Sequence, residues 1–318
     1  MTEDILTSTL VIIRSVGERT ESLCKKSVLG HGVSNDSVIV VTEEPFAEAL
    51  RKSFELGIAS GKEWVAMVDA DLILAPNSIN KLVREISSRD ESVFEVQGYI
   101  LDRFFCGLRR GGLRVYRSSL LPVALDCIPD SDLSIRPEAD TLVAMRQRRY
   151  TWAYSKTITG LHDYEQNFSD ILRKSLVYGV KHRLLAQMFE GIWSGQTDRD
   201  YVVAGLGFSE GLKRETLKVE KFSDWTFEVM SAIDLKEKSA INEAPLVENV
   251  GRLIENYEPS IEYLIHFPTH DGFLTVPQSL KFIIKSHSTG KIVTGCLRLF
   301  LKRARLKISR WLRFSFCD

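Results

Sequence analysis

Trp64-Val-Ala-Met-Val-Asp69-Ala-Asp71-Leu-Ile-Leu-Ala-Pro76 decides the fold. Five apolar residues run without a polar break and end on two carboxylates spaced i, i+2. A continuous apolar run of this length predicts a strand buried on both faces, as in a parallel sheet. Two similar runs precede it, Thr9–Ile13 and Ser37–Val41, and the three starts lie about 27 residues apart, the length of a strand–helix unit. Between the second and third runs, Phe46, Leu50, Phe54 and Ile58 recur every four residues. Pro45 suits the start of that helix and Gly61 its stop. After the third run, Ile79, Leu82, Val83 and Ile86 mark another amphipathic helix. The pattern is βαβαβ, and it predicts a Rossmann-like α/β sheet flanked by helices. Neither GxGxxG nor GxxxxGK[ST] occurs, so the usual dinucleotide and Walker phosphate devices are missing.

Further along, Val93–Leu101 and Gly112–Arg117 read as strands around a turn at Leu108-Arg-Arg-Gly-Gly112. Leu142–Arg149 reads as a helix with Pro137 near its start, and residues 163–192 as one long helix. Residues 205–280 are less legible, and no internal repeat is visible. The expected organisation is residues 1–165 for nucleotide binding and catalysis, 166–280 as a mainly helical extension, and 281–318 as a basic tail.

Asp69 and Asp71 carry the strongest chemical signal. In an extended chain, residues i and i+2 face one side, so both carboxylates would share one hard divalent cation with a substrate diphosphate. The bland alternative is a turn or helix-capping pair. With Val40-Val-Thr-Glu-Glu-Pro45, the helix over 47–61 and Lys62-Glu-Trp-Val-Ala-Met-Val-Asp-Ala-Asp-Leu72, the chain over about residues 8–165 resembles the GT-A glycosyltransferases of the broad family-2 type. That resemblance implies a mixed GT-A sheet and a UDP- or GDP-sugar donor. It further implies Mn²⁺ or Mg²⁺ held through Asp69 and Asp71, and an inverting transfer to a saccharide or lipid-linked hydroxyl. It implies a catalytic base at a helix start, here Asp140 or Glu138 of Arg136-Pro-Glu-Ala-Asp140, although acids in a first turn also simply favour the helix dipole. It further implies a late His ligand, for which His162 is the candidate, with Asp163 beside it as a helix cap. Arg14, Arg19 and Glu44, on loops after the first two strands, and the close-approach glycines Gly111 and Gly112 are candidates for the donor, alongside Asp69. A nucleotidyltransferase is the rival enzyme, though Ser15-Val-Gly-Glu-Arg19 has only one glycine. A non-catalytic sugar-nucleotide-binding protein is the rival outside enzymes.

The chain has 318 residues, 42 basic and 42 acidic, with 44% hydrophobic residues, which excludes a mainly disordered chain. Five widely spaced cysteines without CxxC argue against a zinc site or disulfide framework. The N-terminus lacks a signal-peptide pattern and no apolar run is long enough to span a bilayer, so a cytoplasmic protein is expected. Zero net charge gives no reason to expect a nucleic-acid partner. It conceals a division, however: residues 281–318 carry +9 and the remaining 280 carry −9. In the tail, Leu297, Phe300, Leu301, Ala304, Ile308, Trp311 and Leu312 fall at helical spacing among the basic residues. A cationic amphipathic helix over 291–316 would lie peripherally on the anionic inner face of a membrane. The alternative is a terminal helix docked on the acidic body. Co-sedimentation with phosphatidylserine vesicles checks this: full-length protein should pellet and a 1–285 truncation should not, and equal recovery of both would sink the membrane role.

Overall fold

The computed structural model describes residues 5–130, 134, 136–194, 196–214, 223–241 and 244–257. The tail from 281 onward lies outside them. Seven strands form one mixed sheet in the order β2-β1-β3-β6-β5-β7-β4. β1 (Thr9–Arg14), β2 (Val38–Val41) and β3 (Trp64–Asp69) are parallel, joined by α1 (Glu21–Leu29) and α2 (Phe46–Ala59), so the predicted βαβαβ unit is present. β3 is buried along the apolar run, as its lack of alternation requires. α3 (Ser78–Ser87) buries Ile79, Leu82, Val83 and Ile86, the predicted stripe.

β5 (Val93–Asp102) and β6 (Gly107–Arg117) form an antiparallel pair that continues the sheet beside β3. The expected turn at Leu108–Gly112 is not there: those residues lie inside β6, and the chain reverses at Arg103–Cys106. Gly111 and Gly112 serve the strand's irregular middle instead, with φ of 145° and 76°. A Cβ on Gly112 would sit 2.9 Å from Ile100 and 3.0 Å from Leu72, so close packing as well as conformation demands glycine. β7 (Thr151–His162) pairs parallel to β5, and the short β4 (Leu72–Leu74) pairs antiparallel to the end of β7.

Between β6 and β7 lie α4 (Leu121–Leu125) and α5 (Pro137–Gln147), with Pro137 at the first turn. The predicted long helix over 163–192 is two helices, α6 (Phe168–Lys181) and α7 (Ala186–Trp193), separated by a 3-10 turn at Arg183–Leu185. The break lets Phe168, Ile171 and Leu172 of α6, and Met188, Phe189, Ile192 and Trp193 of α7, enter one apolar cluster with Phe104 and Phe105. α8 (Arg199–Lys213) completes that cluster through Val203, Ala204 and Phe208, and α9 (Ser223–Ala232) and α10 (Ala244–Glu255) follow. The architecture is therefore α/β, a mixed seven-stranded sheet flanked by helices. Among the described residues no helix is long and apolar enough to cross a membrane.

α6 and α8 approach on glycines: a Cβ on Gly211 would lie 2.1 Å from the Leu176 carbonyl, and one on Gly207 2.4 Å from that of Leu172. Backbone cannot yield as a side chain does, so Gly211→Ala should overpack this contact and cost about 1–3 kcal/mol. Urea unfolding measures it, and a midpoint equal to the wild type's would contradict such tight packing.

Candidate active site

One turn, between β3 and β4, sets the site. The chain leaves β3 at Asp69, which lies in register with Arg14 of β1. Three residues later it enters β4, where Leu72 lies in register with His162 of β7. Ala70 N bonds to Arg14 O (3.0 Å) and Asp163 N to Asp71 O (3.2 Å), so Asp69-Ala70-Asp71 crosses between the ends of β1 and β7. The chain is not extended here, and the two carboxylates engage different neighbours.

Asp69 accepts from Arg14 Nη2 at 2.6 Å. Arg14 Nη1 reaches Glu138 at 2.6 Å, and Glu138 also pairs with Arg114 at 2.9 Å. Arg114 pairs in turn with buried Glu95 (2.9 Å). Burial would raise the Glu138 carboxyl, but Arg114 and Arg14 outweigh it and hold it below the ordinary range. Asp69 is raised, by burial first and then by its neighbours Asp71 and Glu138, against the pull of Arg14.

Asp71 faces the other way. His162 Nε2 lies 3.3 Å from its Oδ1, and Lys174 Nζ of α6 lies 2.5 Å from its Oδ2. Lys174 also reaches Asp163 (2.8 Å), and Tyr178 donates to Asp163 (3.2 Å). His162 Nδ1 stands 3.0 Å from both Asp163 and Asp102, and Asp102 pairs with Arg109 at 2.5 Å. Asp102 and Asp163 are fully buried. Burial alone would make His162 harder to protonate, but Asp163 and Asp71 outweigh it and hold the imidazole well above its ordinary value. Burial would likewise raise Asp71, yet His162 and Lys174 hold it well below. Three carboxylates thus balance an imidazolium, an ammonium and a guanidinium.

Ligand atoms of Asp71, His162 and Asp163 all lie within 4.8 Å of one another. Two carboxylates and an imidazole suit Mn²⁺ well and Mg²⁺ through the oxygens. Lys174 already places a positive charge against Asp71 and Asp163, and among the described residues Asp71 Oδ1 lacks a well-aligned hydrogen bond. The residues therefore fit a divalent cation, which would take over from the ammonium and from the imidazolium proton.

The other sequence candidates fall variously around this centre. Arg19 bonds Asn167 (3.2 Å) and the Ser239 carbonyl (2.6 Å) and pairs with Glu165 (3.4 Å), tying the loop after β1 to the helical extension. Glu44 is exposed on the loop after β2. Gly111 and Gly112 are buried in β6; with the Gln97 amide oxygen turned toward them, Gln97 accepts from Gly111 N (3.1 Å) and Arg114 (3.0 Å). Asp140 is exposed and accepts from Ser134. Asp163 does not cap α6, which begins five residues later after Asn167. In the loop after β1, Val16 N and the Ser15 hydroxyl both donate to Glu18 (2.8 and 3.0 Å), so an acid already takes donors there. Sequence reading missed Asp102, Arg109, Arg114 and Lys174. Only Lys174 left a trace, as a charge among the apolar positions of α6.

No family model matches the chain, and no curated protein matches it. Among solved structures, it is similar to the mannosyltransferase PcManGT from Pyrobaculum calidifontis in complex with GDP-Man and Mn²⁺, at 12% identity and a TM-score of 0.38, over 92% of this chain and 86% of that one. A glycosyltransferase involved in glycosylating the major capsid of PBCV-1 matches at 12% identity and TM-score 0.35, over 50% and 94%. A CMP:2-keto-3-deoxy-manno-octonic acid synthetase complexed with CTP matches at 10% and 0.34, over 48% and 92%. At TM-scores this low the likenesses do not bear on the reaction, and the functional reading rests on the side chains of the site.

Lys174→Met removes one side of a buried charge balance and should cost about 3–5 kcal/mol in EDTA. Millimolar Mn²⁺ should restore more thermal stability to this variant than it adds to the wild type. Identical melting of the two proteins in EDTA, or no Mn²⁺ response from the variant, would show that the triad is no cation site.

Proposed function

We propose that the chain is a metal-dependent glycosyltransferase that moves a sugar from a UDP- or GDP-sugar to a saccharide or lipid-linked hydroxyl. The observation that carries this reading is the Asp71–His162–Asp163 triad beside Asp69 and Arg14, at the carboxyl ends of the parallel strands, where open α/β sheets take their ligands. Residues 1–165 would form the catalytic unit, 166–280 a helical extension that supplies Lys174, and 281–318 a membrane-surface anchor.

Asp71, His162 and Asp163 would hold Mn²⁺ or Mg²⁺ with Asp69 nearby. Such an ion supplies Lewis-acid stabilisation of charge on the departing diphosphate. Arg14 offers its guanidinium on the same side. Glu138, saturated by Arg14 and Arg114, orients both and is a weak base for that reason. Asp140 is two residues along, exposed, and among the described residues engages no guanidinium, so it suits the general base. The acceptor oxygen bonds to the anomeric carbon as the bond from that carbon to the diphosphate oxygen breaks, and the hydroxyl proton passes to Asp140. A single in-line displacement inverts the sugar's configuration.

Turnover of a panel of UDP-, GDP- and dTDP-sugars with Mn²⁺ tests the reading. Asp71→Ala should lower turnover by about 100-fold or more, and Asp140→Asn should lower kcat with little change in donor KM. Glu138→Gln should instead raise donor KM. Pyrophosphate release from a nucleoside triphosphate and a sugar phosphate, with no sugar transfer, would replace this reading with a nucleotidyltransferase. No turnover of any donor would leave a binding protein.

A further inference from the structure

α6 ends on Lys181, and His182 follows it. Arg136, just before α5, donates to the Lys181 carbonyl at 3.3 Å. The His182 ring packs edge-on against Phe105 (5.4 Å between centroids), and the Arg109 guanidinium lies over that same ring at 5.4 Å. Four basic residues, Arg136, Lys181, His182 and Arg109, are thus brought to where the end of α6 meets the start of α5. The acids beside them are already committed: Glu138 to Arg14 and Arg114, and Asp102 to Arg109 and His162. Among the described residues, the Lys181 ammonium has neither a hydrogen bond nor an ion pair.

A lysine in the last turn of a helix is favoured by the helix dipole, by about 0.3–1 kcal/mol. Here that benefit is overridden. Burial first, then Arg136, push the Lys181 ammonium down to about 8 and the His182 imidazole down to about 4. Glu138 pulls the Lys181 ammonium the other way without overcoming burial and Arg136, and the Lys181–Arg136 repulsion is costly unless an anion joins the pair.

We infer that Lys181, Arg136 and His182 form a binding site for a phosphoryl anion next to the Asp71–His162–Asp163 triad. Arg136 supplies a planar fork for two oxygens and Lys181 a point charge for a third. Arg109 links the two places, because it lies against both the Phe105 ring and His162 (3.2 Å). The inference rests on the transferase reading only for what carries the phosphoryl group, whether the donor's diphosphate or a phosphorylated acceptor.

Calorimetry with inorganic pyrophosphate in EDTA tests the site on full-length protein. Lys181→Met and Arg136→Gln should each weaken binding about tenfold, Lys181→Arg should retain it, and Lys156→Met, on the exposed part of β7, should leave it unchanged. Lys181→Met should melt no lower than the wild type, because it relieves repulsion; a purely helix-capping lysine would lose stability and leave binding intact. UDP, GDP and farnesyl phosphate then separate the sources. Affinity lost for the nucleotides assigns the phosphoryl group to the donor, and affinity lost for the alkyl phosphate assigns it to the acceptor. Undiminished affinity of Lys181→Met for pyrophosphate and all three overturns the site. Pyrophosphate binding that depends on Lys181 in a protein inactive with every sugar donor would keep the site and dismiss the transferase.

Discussion

Asp102, Asp163 and His162 are buried together where β5 and β7 end, in register across the two strands, and that burial constrains everything around them. Two dry carboxylates would repel each other strongly unless cations met them. Arg109 reaches Asp102 from β6, and Lys174 reaches Asp163 and Asp71 from α6. The neighbouring strands and the first helix of the extension are thereby fixed to the sheet edge. Well-packed apolar residues of equal volume often stabilise a fold at least as well as buried ion pairs do. Stability alone therefore does not account for the cluster.

A second chain of charge runs across the same end of the sheet, from Asp69 through Arg14, Glu138 and Arg114 to Glu95. It draws α5 toward β1 and β6. Each arginine bridges two acids, so neither is free to turn away. The two chains meet at the Asp69–Asp71 turn, which explains why the carboxylates there have separate roles. Asp69 belongs to the arginine chain and Asp71 to the histidine cluster.

Much of the fold was legible because it depends on short-range signals. The runs at Thr9, Ser37 and Trp64 are apolar without alternation, and the row Ile79, Leu82, Val83 and Ile86 has helical period; both patterns follow from burial alone. Leu108–Gly112 has the look of a turn because glycine pairs mark reversals more often than irregular strands, and only the nearness of Ile100 and Leu72 reveals the difference. Residues 163–192 have the pattern of one continuous helix because the apolar rows continue past His182. Its break follows from where Phe104 and Phe105 lie, which no local pattern encodes. The site was legible in the same proportion. Asp71 and His162 stand at strand ends and carry their own signal. Asp102, Arg109 and Lys174 join them only through pairing register and helix docking.

The helical extension gains a defined task from this arrangement. Its apolar cluster around Phe104 and Phe105 holds α6 across the sheet's open end. One face of α6 then delivers Lys174 to the acidic triad, and its last turn delivers Lys181 to the basic cluster, seven residues apart. Seven residues are about two helical turns, or roughly 10 Å along the axis, so both lysines project from nearly one side. A single helix thus sets the separation between the Asp71–His162–Asp163 cluster and the basic cluster at its own end. Any change that tilts α6, such as loss of its close glycine contacts with α8, must move both together. The spacing between opposite charges therefore depends on the packing of an apolar core well away from either of them.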